Sequence, residues 1–571
     1  ILLYGIVFMM LLGLSGYAVI IYGGQLVVDE EDLILDATTT IETTEGKVIW
    51  ELYNENRYPV DIGDIPEHVQ NAFIAIEDER FYEHAGVDAQ SVLRALYRDI
   101  IAMAKVEGAS TITQQLAKNL FLYNDKTWMR KTKEVMAAIY LERTFSKKQI
   151  LELYLNKIYF GHGVHGIEAA SQKFFSKSVT DLSIAEGALL AGIVKAPNGY
   201  SPINHAEKAL ERRNLVLRMM DHAGMISTEV SLQEQGKTLG LKVQEKEERP
   251  WLDSYIDLVL KEAADKHQLS INELKRGGYR ISVQIDETIQ QIAHEKLRKE
   301  HYFPGNAPGV EAAFVMIEQD EGSIVSALGG RDYRIGDLNR VTVKRQPGSV
   351  IKPLIVYAPA MMQDEFHPFS LIRDEQIDYD GYKVSNYDNV YDGMVTIYEA
   401  VTESKNTSAV WLLNEIGIPY AKDYFKQMDI TIPDDGLAMA LGGLSDGMSP
   451  VELAKGYRTF IHQGEVIEPH TIDRIYNKHG ELIVESTPAN KKVFSDQVAW
   501  NMTEILSTTV EEGTAQAGTY QKALAGKTGT TEHPFIEGMV KDAWFVGYTP
   551  KLFNRGQYIS YDFNEGYFNG D

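Results

Sequence analysis

A serine and a lysine three residues apart, Ser349 and Lys352, sit in Gln346-Pro347-Gly348-Ser349-Val350-Ile351-Lys352-Pro353, just after a Pro-Gly break where a helix can begin. Residues at that spacing share one helix face. A serine hydroxyl is a weak nucleophile until a base takes its proton, and a lysine in a desolvated cleft has its pKa lowered enough to be that base. Taken alone, the pair also fits a capping serine followed by a surface lysine. Ser404-Lys405-Asn406 comes 55 residues later in a helical context, and Lys527-Thr528-Gly529-Thr530 follows residues 523–525, where a strand can start. The order SxxK, SxN, KTG is a three-part signature of serine acyl-enzymes.

A second group is acidic. Glu77-Asp78-Glu79-Arg80-Phe81-Tyr82-Glu83-His84-Ala85-Gly86 closes an apolar helix, where the helix end already carries negative partial charge. Composition alone favours a solvated helix end compensated by Arg80 and His84. Ser110, Thr111, Thr113, Gln114 and Gln115 then place five neutral hydrogen-bonding side chains within six positions, with Lys118 and Asn119 just beyond. Burying so many is expensive unless a polar ligand is read, and an N-cap needs only one of them. Arg130-Lys131-Thr132-Lys133-Glu134 sets Glu134 one turn from two cations. By itself this fits a surface ion pair worth under about 1 kcal/mol.

The elements that must hold these groups divide the chain. Residues 1–21 carry no charge and the first charged residue is Asp29. About 20 apolar residues span a bilayer; the run exceeds the apolar core of a cleavable signal, of about 7–15 residues, and is read as an anchor over 1–28. The chain begins at Ile1 with no flanking Lys or Arg, as expected where a basic tail precedes it. Residues 29–59 read as a β-prone connector. From Pro66, which suits a first helical turn, apolar residues recur at helical spacing, giving an all-α block over 60–234. Residues 235–309 read as a linker region containing a helix, a strand at 279–285 and a helix from Glu287. From about 310 to 571 the texture is α/β, opening with two strands around Gln319-Asp320-Glu321-Gly322.

Length alone implies two to four domains. The net charge of −25 argues against a nucleic-acid partner, so a phosphate site must come from a local cation cluster. Absence of cysteine removes disulfides, thiolate metal sites and cysteine nucleophiles. The 14 histidines are scattered without ligand spacing, so no protein metal site is expected.

The boxes EDxxFxxHxG, GxSTITQQLxKN and RKxxE, followed by residues 150–166 and 186–202, resemble the peptidoglycan glycosyltransferases of lysozyme-like fold over about 60–225. The SxxK, SxN and KTG motifs, with residues 441–454, 469–470 and 542–548, resemble the transpeptidase domain of penicillin-binding proteins. Together they resemble the class A, bifunctional penicillin-binding proteins. The resemblance implies a transmembrane helix, an all-α glycosyltransferase domain and an α/β transpeptidase domain with an antiparallel sheet flanked by helices. It makes Glu77 the base that takes the proton of an attacking sugar 4-hydroxyl. Glu134 is the second acid, organising cations or a divalent Mg or Mn ion; Lys118, Arg130 and Lys131 face the departing lipid pyrophosphate, and Ser110, Thr111, Thr113, Gln114, Gln115 and Asn119 bind substrate. It makes Ser349 the nucleophile on a D-Ala carbonyl and Lys352 its proton acceptor. Ser404 shuttles the proton, Asn406 holds the peptide amide, and Lys527, Thr528, Gly529 and Thr530 bind the carboxylate or complete the oxyanion hole. Transpeptidation requires no cofactor. The implied partners are lipid II and its lipid-linked glycan, stem peptides, β-lactams and the cytoplasmic membrane, crossed once, with the catalytic domains outside.

Three rival classes are weaker. A hydrolase needs an activated water, and the second domain shows no Glu motif for one; a penicillin sensor has no use for a glycosyltransferase domain; a scaffold would not keep Glu77 and Ser349. One departure stands out. After Tyr548-Thr549-Pro550 the family continues with a hydrophobic strand, whereas here Lys551-Leu552-Phe553-Asn554-Arg555-Gly556 leads into a Tyr-, Asn- and Gly-rich end.

Overall fold

The computed structural model describes residues 2–102, 110–122, 127, 129–243, 248–303, 309–516, 523–533, 539–552 and 555–569. Gly108 and Ala109 of the hydroxyl-rich box, and Phe553 and Asn554 near the end, lie outside the described residues. The chain forms two compact units. Ile1–Thr40, Glu51–Glu247 and Asn272–Tyr279 make the first; Ile41–Trp50, Glu248–Ile271 and Arg280–Asp571 make the second.

The first unit is helical. Its first helix, α1 (Leu2–Tyr22), carries no charged residue, and Phe8–Leu26 is long and apolar enough to cross a membrane. Then come α2 (Glu67–Glu77), α3 (Ala89–Ala102), α4 (Ile112–Phe121), α5 (Arg130–Thr144) and α6 (Lys147–Lys157), followed by α7 (Ile167–Phe175), α8 (Ile184–Ile193), α9 (Ala206–His222) and α10 (Thr228–Gln235). Their starts are written locally. Thr111, Ser146 and Ser183 form capping boxes with Gln114, Gln149 and Glu186 at the heads of α4, α6 and α8, each satisfying two otherwise orphaned backbone donors. The core is built from Val69 and Phe73 of α2, Leu116 of α4, Leu141 of α5, Leu151 of α6 and Leu189 of α8. In this way α4 packs on α5 and α6, and α2 on α8 and α9.

The second unit is built on an antiparallel five-stranded sheet. Its order is Ala525–Glu532, Met539–Leu552, Arg555–Asn569, Glu311–Ile317, Ile324–Leu328. The Tyr-, Asn- and Gly-rich end therefore supplies the backbone of the middle strand. Helix Asp496–Glu511 packs on Ala525–Glu532, and helix Pro450–Ile461 on Glu311–Ile317. A second five-stranded sheet runs in the order Leu482–Glu485, Ile472–Tyr476, Arg280–Val283, Thr39–Thr43, Val48–Leu52, so the β-prone connector contributes two of its strands. Residues 235–309 are shared between the units. Within them, helix α11 (Asp253–Asp265) buries Tyr255, Ile256 and Val259 and packs on Ile324–Leu328. The helical first unit, whose helices are interrupted by a two-stranded sheet of Tyr159–Gly161 and Val164–His165, and the helix-flanked antiparallel sheet of the second agree with the fold class expected.

Candidate active sites

In the first unit, Glu77 is the last residue of α2. The next residue locks it in place: the Asp78 carboxylate accepts the Ile112 N–H at 3.0 Å and faces His84 Nε2 at 3.0 Å. Asp78 thus ties the end of α2 to the head of α4 and brings Glu77 beside the first turns of that helix. Gln115 Nε2 donates to Glu77 Oε2 at 2.7 Å. The hydroxyl-rich box is largely satisfied from within. Thr111 and Gln114 exchange capping bonds at 3.1 Å, Thr111 also donates to Gly86 O at 2.7 Å, and Thr113 donates to Glu142 at 2.5 Å. All three are buried, leaving Gln115, Lys118 and Asn119 half-exposed on α4, where their spacing puts them on one face.

The cation cluster is assembled by α5. Lys131 and Arg130 both donate to Glu134, Arg130 at 3.3 Å, and Lys131 also reaches Ser110 Oγ at 3.0 Å. Glu134 is buried while its two partners are partly exposed, so the acid holds the cations and the cations face outward. Among the described residues no three His, Cys, Asp or Glu side chains could hold a metal ion together, and both Glu134 oxygens are engaged by cations. This geometry does not fit a resident divalent ion there.

In the second unit the Ser349 segment is not a regular α-helix. Gly348–Ile351 is a tight 3₁₀ turn, Pro353–Tyr357 widens to a π-turn, and α-geometry begins only at Ala358–Met361. Pro353 has no N–H to continue an i→i−4 ladder, and such irregular turns concentrate at functional sites. Gly348 has φ +57°, and a Cβ there would lie 2.7 Å from Thr530 O and 3.1 Å from Thr530 N; only glycine lets the turn lie against the KTG strand. Gly529 is needed for the same approach, since its Cβ would meet Pro347 O at 2.6 Å. Trp544 Nε1 donates to Gln346 O at 3.0 Å and Tyr457 Oη to Val350 O at 2.7 Å, pinning the turn on both sides of Ser349.

Two fully buried lysines converge on Ser404. Lys527 Nζ donates to Ser404 Oγ at 2.8 Å; Lys352 Nζ lies 3.4 Å from the same oxygen, 2.7 Å from Ser404 O, 3.2 Å from Lys405 O and 2.7 Å from Asn406 Oδ1. Burial, reinforced by the charge of Lys527, holds the Lys352 pKa well below the ordinary lysine value. Burial pushes Lys527 down to about 7. Ser404 itself takes φ +58°, a left-handed conformation uncommon outside glycine, and Ser349 is half-exposed. On the other side of KTG, Thr528 Oγ1 donates to Thr514 Oγ1 at 3.2 Å.

The bracket that holds Ser404 and Asn406 was not visible in the sequence. Asp374, fully buried, accepts from Asn386 Nδ2 at 2.7 Å, from the Asp392 N–H at 3.0 Å and from the Thr407 hydroxyl. Asn386 Oδ1 accepts the Asn406 N–H at 2.8 Å, and Asn406 Nδ2 donates to Ser385 O at 3.0 Å. Burial alone would raise the Asp374 carboxyl, but hydrogen bonds from Thr407 and Asn386 hold it below its ordinary value. Lys405 is buried beside Asp374, 2.7 Å from Asp392, so the central residue of SxN is a strut. Asp374 lies 33 positions from Thr407, too far for spacing to reveal the pair.

Known proteins place both units. The Transglycosylase family model matches residues 45–221, and the Penicillin binding protein transpeptidase domain model matches residues 312–562. The chain is 52% identical over 541 residues to Penicillin-binding protein 1F of Bacillus subtilis, covering 95% of this chain and 76% of that protein. It is 33% identical to Penicillin-binding protein 1A of Aquifex aeolicus, covering 98% and 87%. The crystal structure of Penicillin-Binding Protein 1A from Haemophilus influenzae shares the fold, with a TM-score of 0.58 at 20% identity over 93% of this chain and 88% of that one. With both family models matched and a relative 52% identical over 95% of this chain, the chain belongs to the class A penicillin-binding proteins, which join a peptidoglycan glycosyltransferase to a transpeptidase.

Proposed function

We propose that Glu77 and Ser349 are the reacting groups of the two activities. Glu77 takes the proton of the sugar 4-hydroxyl as it attacks the anomeric carbon of a lipid-linked donor, turning an α-linked donor into a β-1,4 product. Lys131 and Arg130, anchored by Glu134, take the charge of the departing pyrophosphate, with Lys118 on the open face of α4. Ser110, Asn119 and Gln115 line that approach, whereas Thr111, Thr113 and Gln114 serve it by building the head of α4.

Ser349 attacks the D-Ala carbonyl of a stem peptide. Its proton passes by way of Ser404 to neutral Lys352, D-Ala leaves with a proton, and the acyl group goes to an amine on a neighbouring strand. The backbone N–H groups of Ser349 and Thr530 would hold the developing oxyanion, and Lys527 and Thr528 the terminal carboxylate. The same ester forms with penicillins. We place the chain in the bacterial cytoplasmic membrane through a single span, with both catalytic domains outside. One observation carries this reading: two fully buried lysines meet at one serine hydroxyl in a chain whose other unit holds Glu77 against Gln115. Products formed from lipid II with and without penicillin test it.

The same geometry sets a pH dependence. Burial and the charge of Lys527 hold Lys352 well below the ordinary lysine value, and on this reading the competent form has neutral Lys352 and charged Lys527. Acylation rises with pH as Lys352 deprotonates and falls again as Lys527, held down to about 7, loses its charge. Stopped-flow acylation by a penicillin should therefore follow a bell with its falling limb near pH 7; a rate that climbs steadily through that region contradicts the assignment.

A further inference from the structure

Tyr154 belongs to the core of the first unit, on α6, where its ring is fully buried among aliphatic and aromatic side chains. A phenylalanine would fill that space equally well, so the hydroxyl needs its own explanation: a buried hydroxyl costs free energy unless it is hydrogen-bonded. Its partner is Gln115 Oε1, at 3.3 Å. The other end of the same amide, Nε2, is the group that donates to Glu77 at 2.7 Å. A primary amide has one acceptor and one donor end. If Gln115 turned over, its carbonyl would face the Glu77 carboxylate and its NH₂ would face the tyrosine.

We propose that Tyr154 is a positioning residue for the glycosyltransferase base: by donating to Gln115 Oε1 it fixes the amide so that Nε2–H is always presented to Glu77. Burial, then the charges of Glu77 and Asp78, push the tyrosine pKa well above its ordinary value, so the hydroxyl keeps its proton and remains a donor. The contribution matters most after Glu77 has taken the proton of the attacking hydroxyl. The carboxyl then no longer selects one end of the amide by charge, and Tyr154 keeps the relay in register for the next turnover. This inference rests on the reading of Glu77 as the base.

Steady-state lipid II polymerisation by the full chain tests it with Tyr154→Phe, Gln115→Ala and the double variant. Loss of one hydrogen bond of about 1 kcal/mol predicts a fall in kcat of roughly fivefold for Tyr154→Phe, with KM unchanged. Penicillin labelling of the variant should match the parent. On the Gln115→Ala background, removing the hydroxyl should cost nothing further. An unchanged kcat, a loss confined to KM, or an equal loss on both backgrounds would overturn the proposal. Polymerisation retained by Glu77→Gln would instead sink the reading beneath it, so the two failures are distinguishable.

Discussion

Ser349→Ala is expected to abolish covalent labelling by a fluorescent penicillin and all cross-linking, while glycan polymerisation proceeds at the parental rate. Removing the nucleophile of a serine acyl-enzyme lowers turnover by roughly a millionfold, below detection in a gel assay. The loss is chemical rather than structural. The four oxygens around Lys352 all come from Ser404, Lys405 and Asn406, so the buried lysine keeps its partners when Ser349 Oγ is gone. The turn stays pinned by Tyr457 and Trp544, which bind backbone carbonyls on either side. Persisting label on the alanine variant would place the ester elsewhere and refute the assignment of Ser349.

Glu77→Gln should give the mirror image. The substitution keeps shape and size but removes the group that accepts a proton, and general-base contributions of this kind are worth roughly 10²–10⁴-fold. The end of α2 does not depend on Glu77 for its position. Asp78 makes the bonds to Ile112 and His84, and a glutamine at 77 can still accept from Gln115. Polymerisation measured by gel separation of lipid II products should fall by that factor, and penicillin labelling should be unaffected. Near-parental polymerisation would show that another group takes the proton.

What the sequence revealed and what it concealed divide along physical lines. Groups brought together by short spacing were legible: Arg130, Lys131 and Glu134 on one helix, and Thr111 with Gln114 as a helix head. Motifs in order, SxxK, SxN and KTG, could be assigned to one cleft although their strands and helices lie far apart in the chain. The supporting contacts were not legible, because each joins residues distant in sequence through single hydrogen bonds: Asp374 with Thr407, Asp78 with Ile112, Thr528 with Thr514 and Tyr154 with Gln115. The hydroxyl-rich box misled in part for the same reason. Its cost of burial pointed to a ligand, whereas Thr111, Thr113 and Gln114 are satisfied by Gly86, Glu142 and each other. At Ser349, helical spacing missed that Pro353 breaks the ladder into 3₁₀ and π turns. The Tyr-, Asn- and Gly-rich end lacks the hydrophobic run of a buried strand, yet its backbone pairs with Met539–Leu552 on one side and Glu311–Ile317 on the other.

Two separate activities in one chain are addressed directly by a single measurement on the parental protein. Lipid II is supplied with and without saturating penicillin, and the products are analysed for strand length and for cross-links. The prediction is long, cross-linked glycan without the drug and strands of the same length with no cross-links in its presence. Failure to form polymer from lipid II, or cross-links that survive the drug, would contradict it.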